Sequence, residues 1–262
     1  MDVGVRFGNL SLPAIPPLWR EGGAAREAAA LFQSSVWQGT GVAPGEDRPV
    51  LLIPGFLAGD GTLSTMTRWL RAAGYHTRRA GMRANVACSE TACERLEERL
   101  EAFVDATGQR VAIIGQSRGG VLARALGARR PDLVSGIVTL GSPALAQLRV
   151  HPLVLAHVGV VAALGSGHLP GFFSWRCLRG ACCARFRDDL SGDFPPEVGY
   201  VALYSRTDGI VDWRACLDPA AELIEVRASH VGMALNASVY AEIGHALAAF
   251  GRTEETGWAQ AA

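Results

Sequence analysis

The chain has no lysine: all 25 of its cationic residues are arginine. That absence removes the chemistries that need a primary amine, namely Schiff-base catalysis, a phosphate-binding P-loop lysine and a serine-lysine dyad. An arginine-rich, alanine- and glycine-rich composition is also what a GC-rich coding sequence produces, and the chemical exclusion holds whichever cause applies. Net charge is lacking too, with 25 acidic and 25 basic residues. The surface therefore carries neither the basic footprint of a nucleic-acid binder nor a polybasic membrane anchor, and a small molecule is the expected partner. Long apolar runs are missing: the greasiest, Leu153 to Leu164, is too short to span a bilayer and contains His157 and Gly159. The first residues, Met1-Asp2-Val3-Gly4-Val5-Arg6, lack a basic start followed by an apolar stretch. The expectation is a soluble protein, cytoplasmic unless a leader has been removed.

Six cysteines are present, Cys88, Cys93, Cys177, Cys182, Cys183 and Cys216, but no C-x-x-C pair has a matching second pair. Spacing alone therefore argues against a zinc site, and no metal or other cofactor is expected. In an oxidising compartment the two local pairs, Cys88 with Cys93 and Cys177 with Cys182, have the spacing to close, leaving Cys183 and Cys216. Six reduced thiols is the other reading, and sequence does not choose between them.

What the chain does have is 262 residues, about half of them apolar, enough for one domain with a sizeable core and an insertion. A leader to residue 48 combines a proline-rich stretch, Leu12 to Pro17, with a helical run from Ala24 to Trp37, and is expected to pack outside the main sheet. From residue 49 to 250 short apolar runs alternate with amphipathic helical stretches, and 251–262 reads as a tail. Val50 to Ile53, Arg110 to Ile114, Val134 to Leu140, Val201 to Tyr204 and Glu222 to Val226 are strand candidates, with a short one near His76 to Ala80. Helical spacing fits Leu63 to Ala73, Thr91 to Ala106, the stretch through Ala128, and Val239 to Phe250. Strands alternating with helices predict an α/β fold: a mostly parallel central sheet with helices on both faces. Between about 144 and 196 the alternation stops, and an inserted cap or lid is expected there.

The chemistry centres on Gly115-Gln116-Ser117-Arg118-Gly119, which lies between an apolar strand and a helix. A G-x-S-x-G match is weak by itself, but in that position it puts the serine on a strained turn with its hydroxyl projecting from the sheet edge. The flanking glycines, lacking Cβ, let strand and helix approach closely. A serine hydroxyl needs a base, and the base needs a partner to orient it. His230, a few residues beyond Glu222 to Val226, fits the base; His245 lies in a helical run, His151, His157 and His168 in the insertion, and His76 before the serine. Two carboxylates follow the preceding strand. Asp208 is favoured because it stands at the strand's carboxyl end, where open α/β sheets place their sites, and Asp212 is then a cap for the turn at Trp213.

These three segments, G-Q-S-R-G-G, Y-S-R-T-D-G-I-V-D-W and S-H-V-G-M, resemble the nucleophile, acid and histidine loops of bacterial lipase-like α/β-hydrolases, across roughly residues 49 to 250. The order Ser, Asp, His matches that fold's habit. The resemblance implies an α/β-hydrolase fold and a serine hydrolase of carboxylic esters, with Ser117, Asp208 and His230 catalytic. It also implies an oxyanion hole from the backbone N–H groups of Arg118 and of Phe56, or Leu57 one residue on, since Pro54 stands where many relatives begin a His-Gly pair. Arg118 departs from the small or neutral residues common there, and its side chain is expected in a surface salt bridge. Apolar insertion residues, Leu153, Val154, Leu155, Val160, Val161, Leu164, Leu169, Phe172 and Phe173, are expected to line an acyl pocket, which favours an ester or lipid substrate and transient contact with lipid surfaces. Oligomeric state has no signature. An acyltransferase or thioesterase with the same triad is the alternative, and a non-catalytic binding domain on the same fold a further one.

Overall fold

The computed structural model describes residues 15–144 and 146–261. The start of the leader, including Leu12 to Ala14 of its proline-rich stretch, and Ala262 lie outside the described residues.

Six strands form one sheet: β1 (Pro49–Ile53), β2 (His76–Arg79), β3 (Val111–Gln116), β4 (Val134–Leu140), β5 (Gly199–Tyr204) and β6 (Glu222–Glu225). Their order is β2-β1-β3-β4-β5-β6, and every pairing is parallel. β1 and β3 sit inside that order and are buried at every residue, which is why their sequences are unbroken apolar runs rather than alternating ones. Edge strand β6 is mostly exposed along its length.

Helices cover both faces. On one side α1 (Ala24–Gln33), α2 (Ser64–Ala72) and α8 (Ala237–Ala261) close a core through Leu31, Met66, Trp69, Tyr240 and Ile243 against Leu52, Ile114 and Leu203 of the sheet. On the other, α3 (Ser89–Thr107) and α4 (Arg118–Arg129) bury Leu96, Leu100, Phe103, Leu122 and Leu126 against Leu51, Ile113 and Ile137. α1 is shorter than its sequence pattern, because Ser34 Oγ donates to the Leu31 carbonyl and ends the helix. α8 is longer, running past Phe250 to Ala261.

The insertion contains α5 (Pro152–Ser166), α6 (Trp175–Arg179) and α7 (Ala184–Ser191). Its two ends behave differently. α5 and α6 share a small core of their own, Val86, Val161, Ala162 and Phe173, whereas α7 puts Phe186 and Leu190 into the main core beside α3 and α4. Arg124 of α4 fastens that end further: it is only 3% exposed, pairs with the 1% exposed Asp218 at 2.8 Å and donates to the Asp189 carbonyl at 2.6 Å. α5 is apolar all round, so its outward residues Leu153, Leu155, Val160 and Leu164 are exposed. No helix among the described residues is long and apolar enough to cross a membrane.

Candidate active site

β3 ends at Gln116 and α4 begins at Arg118, leaving Ser117 alone to make the turn, at φ 52° and ψ −122°. A positive φ on a residue with a Cβ is costly and persists only where the surroundings impose it. Those surroundings are tight. A Cβ on Gly115 would lie 2.5 Å from the Gly119 carbonyl carbon, and one on Gly119 would lie 2.2 Å from the Ile53 carbonyl oxygen. Both glycines of the motif are thus required by close backbone packing, as the sequence pattern suggested. Ser117 N–H donates to the Leu140 carbonyl at 2.8 Å, tying the turn to the end of β4.

The histidine and acid loops converge at the same sheet edge. His230 Nδ1 is 2.7 Å from Asp208 Oδ2, and both residues are buried. With a carboxylate as acceptor, Nδ1 carries the proton and Nε2 is left as the basic nitrogen. The other Asp208 oxygen, Oδ1, accepts from the N–H groups of Ile210 and Val211 at 2.8 and 2.7 Å, so the carboxylate is fixed at both ends. Asp212 does what its position suggested: it accepts from Arg214 N–H at 3.1 Å and caps the turn Trp213–Cys216. Gln116 Nε2 donates to the His230 carbonyl at 3.1 Å, linking the end of β3 to the histidine loop.

Two acids that sequence reasoning passed over organise these loops from outside. Glu21, in the leader, accepts from Gly209 N–H and His230 N–H on Oε1, both at 2.9 Å, and from Val231 N–H on Oε2 at 2.8 Å. Glu27, on α1, accepts from Ser229 N–H and from Asn236 Nδ2, each at 3.0 Å. No local pattern marks them, because their partners lie about two hundred residues away. Their effect reaches the imidazole. Burial, the largest single influence, depresses the His230 pKa, but the charge and hydrogen bond of Asp208, with the charge of Glu21, outweigh it and leave the pKa raised above 6.5.

The loop after β1 lies over Ser117: a Cβ on Gly55 would come within 3.3 Å of Ser117 Cβ. Phe56 follows, bridged to Asn85. Arg118 N–H belongs to the first residue of α4 and has no acceptor within the helix. The Arg118 side chain corrects the surface salt bridge expected of it. It turns inward and donates to neutral acceptors, the Asn85 carbonyl at 2.9 Å, Asn85 Oδ1, the Ala87 carbonyl at 2.7 Å and Ser89 Oγ at 3.1 Å. Asn85 in turn donates from Nδ2 to the Pro54 carbonyl at 2.8 Å. One polar chain therefore connects the loop after β1 with the residue after Ser117.

Ser117 opens into a cleft of about 910 Å³, lined by Phe56, Arg118, Val121, Leu148, Val154, Val158, Phe173 and Trp175 among others. Of the insertion residues expected to line an acyl pocket, Val154 and Phe173 do so; Leu153, Leu155, Val160, Leu164 and Leu169 face solvent and Val161 is buried in the small core.

The fold, a parallel six-stranded sheet with helices on both faces and a strand-turn-helix junction at Ser117, is of α/β-hydrolase type. A family model for the alpha/beta hydrolase fold matches residues 48–156. Among solved structures, the mature lipase BlEst2 of Bacillus licheniformis is similar with a TM-score of 0.56 and 14% identity, over 77% of this chain and 91% of that one. A monoacylglycerol lipase of Paleococcus ferrophilus has a TM-score of 0.54 at 13% identity, over 80% and 97% of the two chains. A soluble variant of monoglyceride lipase from Saccharomyces cerevisiae has a TM-score of 0.53 at 16% identity, over 80% and 89%. No curated protein matches the chain by sequence.

Proposed function

We propose that this chain is a serine hydrolase of carboxylic esters, with Ser117 as nucleophile, His230 as base and Asp208 as its orienting acid. The observation that carries the reading is the strained Ser117 turn at the mouth of an apolar cleft, with the buried His230–Asp208 pair on the same sheet edge. Ser117 Oγ attacks the ester carbonyl while His230 Nε2 takes its proton. Asp208 stabilises the imidazolium through Nδ1–H. The tetrahedral oxyanion is accepted by the backbone N–H groups of Phe56 and Arg118, and removing one such donor typically costs about 3 kcal/mol of transition-state stabilisation. Collapse expels the alcohol, protonated by His230, and leaves an acyl group on Ser117. Water, deprotonated by the same imidazole, then releases the acid.

The aliphatic and aromatic lining of the cleft favours an apolar acyl portion, as in lipase and carboxylesterase substrates. The test is covalent labelling with a fluorophosphonate followed by peptide mapping. The expected result is a single label on Ser117, absent from Ser117→Ala; labelling elsewhere, or near wild-type ester hydrolysis by that variant, refutes the assignment. Among nitrophenyl esters, rates that fall steadily as the acyl chain grows from acetyl to octanoyl would refute the apolar acyl pocket.

A further inference from the structure

Cysteine spacing points away from a metal, yet the fold brings four of the six thiols to one place. The Sγ atoms of Cys88, Cys177, Cys182 and Cys183 all lie within 4.8 Å of one another, and Cys88 Sγ is 3.3 Å from Cys183 Sγ. Of the two local pairs that spacing allowed, Cys88 and Cys93 are kept apart, while Cys177 and Cys182 both lie in the cluster. Cys93 turns into the main core, Cys216 is buried elsewhere, and all six are free thiols. A disulfide needs its sulfurs about 2.05 Å apart and satisfies only two at a time. Four sulfurs around one centre at metal–sulfur bonds of about 2.3 Å form a tetrahedron with edges of about 3.8 Å, which is the scale of this cluster.

We infer that Cys88, Cys177, Cys182 and Cys183 form a closed tetrathiolate site for a soft divalent metal of zinc type, holding the α5–α6 cover against the start of α3. Four thiols and one divalent ion give a complex of net charge −2, with four protons released to solvent. Two independent features of the surroundings fit an anion there. Cys88 is the residue before α3, so the N-terminus of that helix begins beside the cluster. Ser174 N–H is also directed at Cys177 Sγ, at 3.4 Å. Such N–H···S contacts and the helix dipole both favour negative sulfur. The second feature is Arg118. Its guanidinium is partly buried, all four of its hydrogen-bond acceptors are neutral, and no carboxylate pairs with it among the described residues. Two of those acceptors, Ala87 and Ser89, flank Cys88. A tetrathiolate would supply the counter-charge that this cation otherwise lacks.

The ligands come from three segments: the loop before α3, α6, and the turn Ala181–Cys183. Cys177 and Cys183 also line the cleft that holds Ser117. The ion would therefore stand behind one wall of that cleft, with its four protein ligands leaving no open position for substrate. Its role is to set the cover on the body of the protein, as structural sites of this kind do. This inference is independent of the Ser117 chemistry.

The test uses the full chain produced in zinc-supplemented medium. Elemental analysis is expected to find about one equivalent of zinc per chain, as for a four-ligand structural site. Exchange with cobalt should give the intense visible bands of tetrahedral thiolate coordination, and native alkylation should leave four cysteines protected until a chelator is added. Cys182→Ser, at an exposed ligand, should lose the metal while keeping its circular dichroism; Cys216→Ala should keep it. Protein that is metal-free as purified and takes up neither zinc nor cobalt after reduction overturns the inference. So does an intact mass short by two hydrogens for each of two disulfides among these cysteines, or undiminished zinc in Cys182→Ser.

Discussion

Replacing Glu21 by glutamine should move the acid limb of the pH–rate profile to lower pH. Glu21 touches neither the imidazole nor the cleft; it accepts three backbone N–H bonds from the acid and histidine loops and lends its charge to the raised His230 pKa. The base must be neutral to act, so ester hydrolysis rises as pH climbs through the His230 pKa, and kcat/KM reports the free-enzyme value. Without the charge the rise should begin at lower pH. Glutamine keeps an oxygen for Gly209 and His230 but turns an amide group toward Val231 N–H, so a stability loss of about 1–2 kcal/mol is expected as well. The stability linkage runs in the matching direction. A histidine whose folded pKa is raised stabilises the fold fully below its unfolded value near 6.5, and that contribution is lost as pH rises through the folded value. The wild type should lose this increment as pH rises through the folded His230 pKa, and the variant should lose less. An acid limb that stays in place, or moves up, in a variant with wild-type circular dichroism would refute the electrostatic role of Glu21.

Asp208→Asn should keep the fold but reduce kcat by several orders of magnitude, because an amide in that place favours the wrong tautomer; steady-state kinetics on a short nitrophenyl ester measures it. Gly119→Ala should destabilise the protein by at least about 3 kcal/mol, since its methyl would meet the Ile53 carbonyl oxygen at 2.2 Å; chemical denaturation reads the loss, and a change under 1 kcal/mol would contradict the tight elbow. Asp218→Ala should cost about 3–5 kcal/mol by leaving Arg124 buried without its carboxylate, again read by denaturation. Arg118→Met removes the side-chain bonds to Asn85, Ala87 and Ser89 while keeping the backbone N–H. It should lower kcat more than it raises KM, and an unchanged kcat would show that the Asn85–Arg118 chain does not hold the loops.

Much of the sheet was legible because β1, β3 and β4 are buried on both faces and announce themselves as apolar runs, and because the serine motif occupies a strand-helix junction. Asp208 was separable from Asp212 by position, since one lies in the loop just after β5 and the other begins the turn Trp213–Cys216. Less was legible where the deciding contacts are long-range. The insertion looked uniform in composition, yet α7 joins the main core through Phe186 and Leu190, which helical spacing cannot distinguish from a cap helix. Arg118 looked like a surface cation because its inward partners are carbonyls and a serine hydroxyl, not acids. The four thiols were hidden for the same reason: spacing tests ask about neighbours in sequence, and this cluster is assembled across 95 residues.

The family match begins at residue 48, and a protein engineer guided by it would start the chain there. Such a truncation would keep the whole sheet and every residue of the serine, acid and histidine motifs. It would discard Glu21 and Glu27, and with them the acceptors for four backbone amides and one side-chain amide in the two loops that carry Asp208 and His230. The portion outside the matched frame is, in this molecule, an external splint for the loops that carry Asp208 and His230, so the smallest intact unit is larger than the smallest recognisable one.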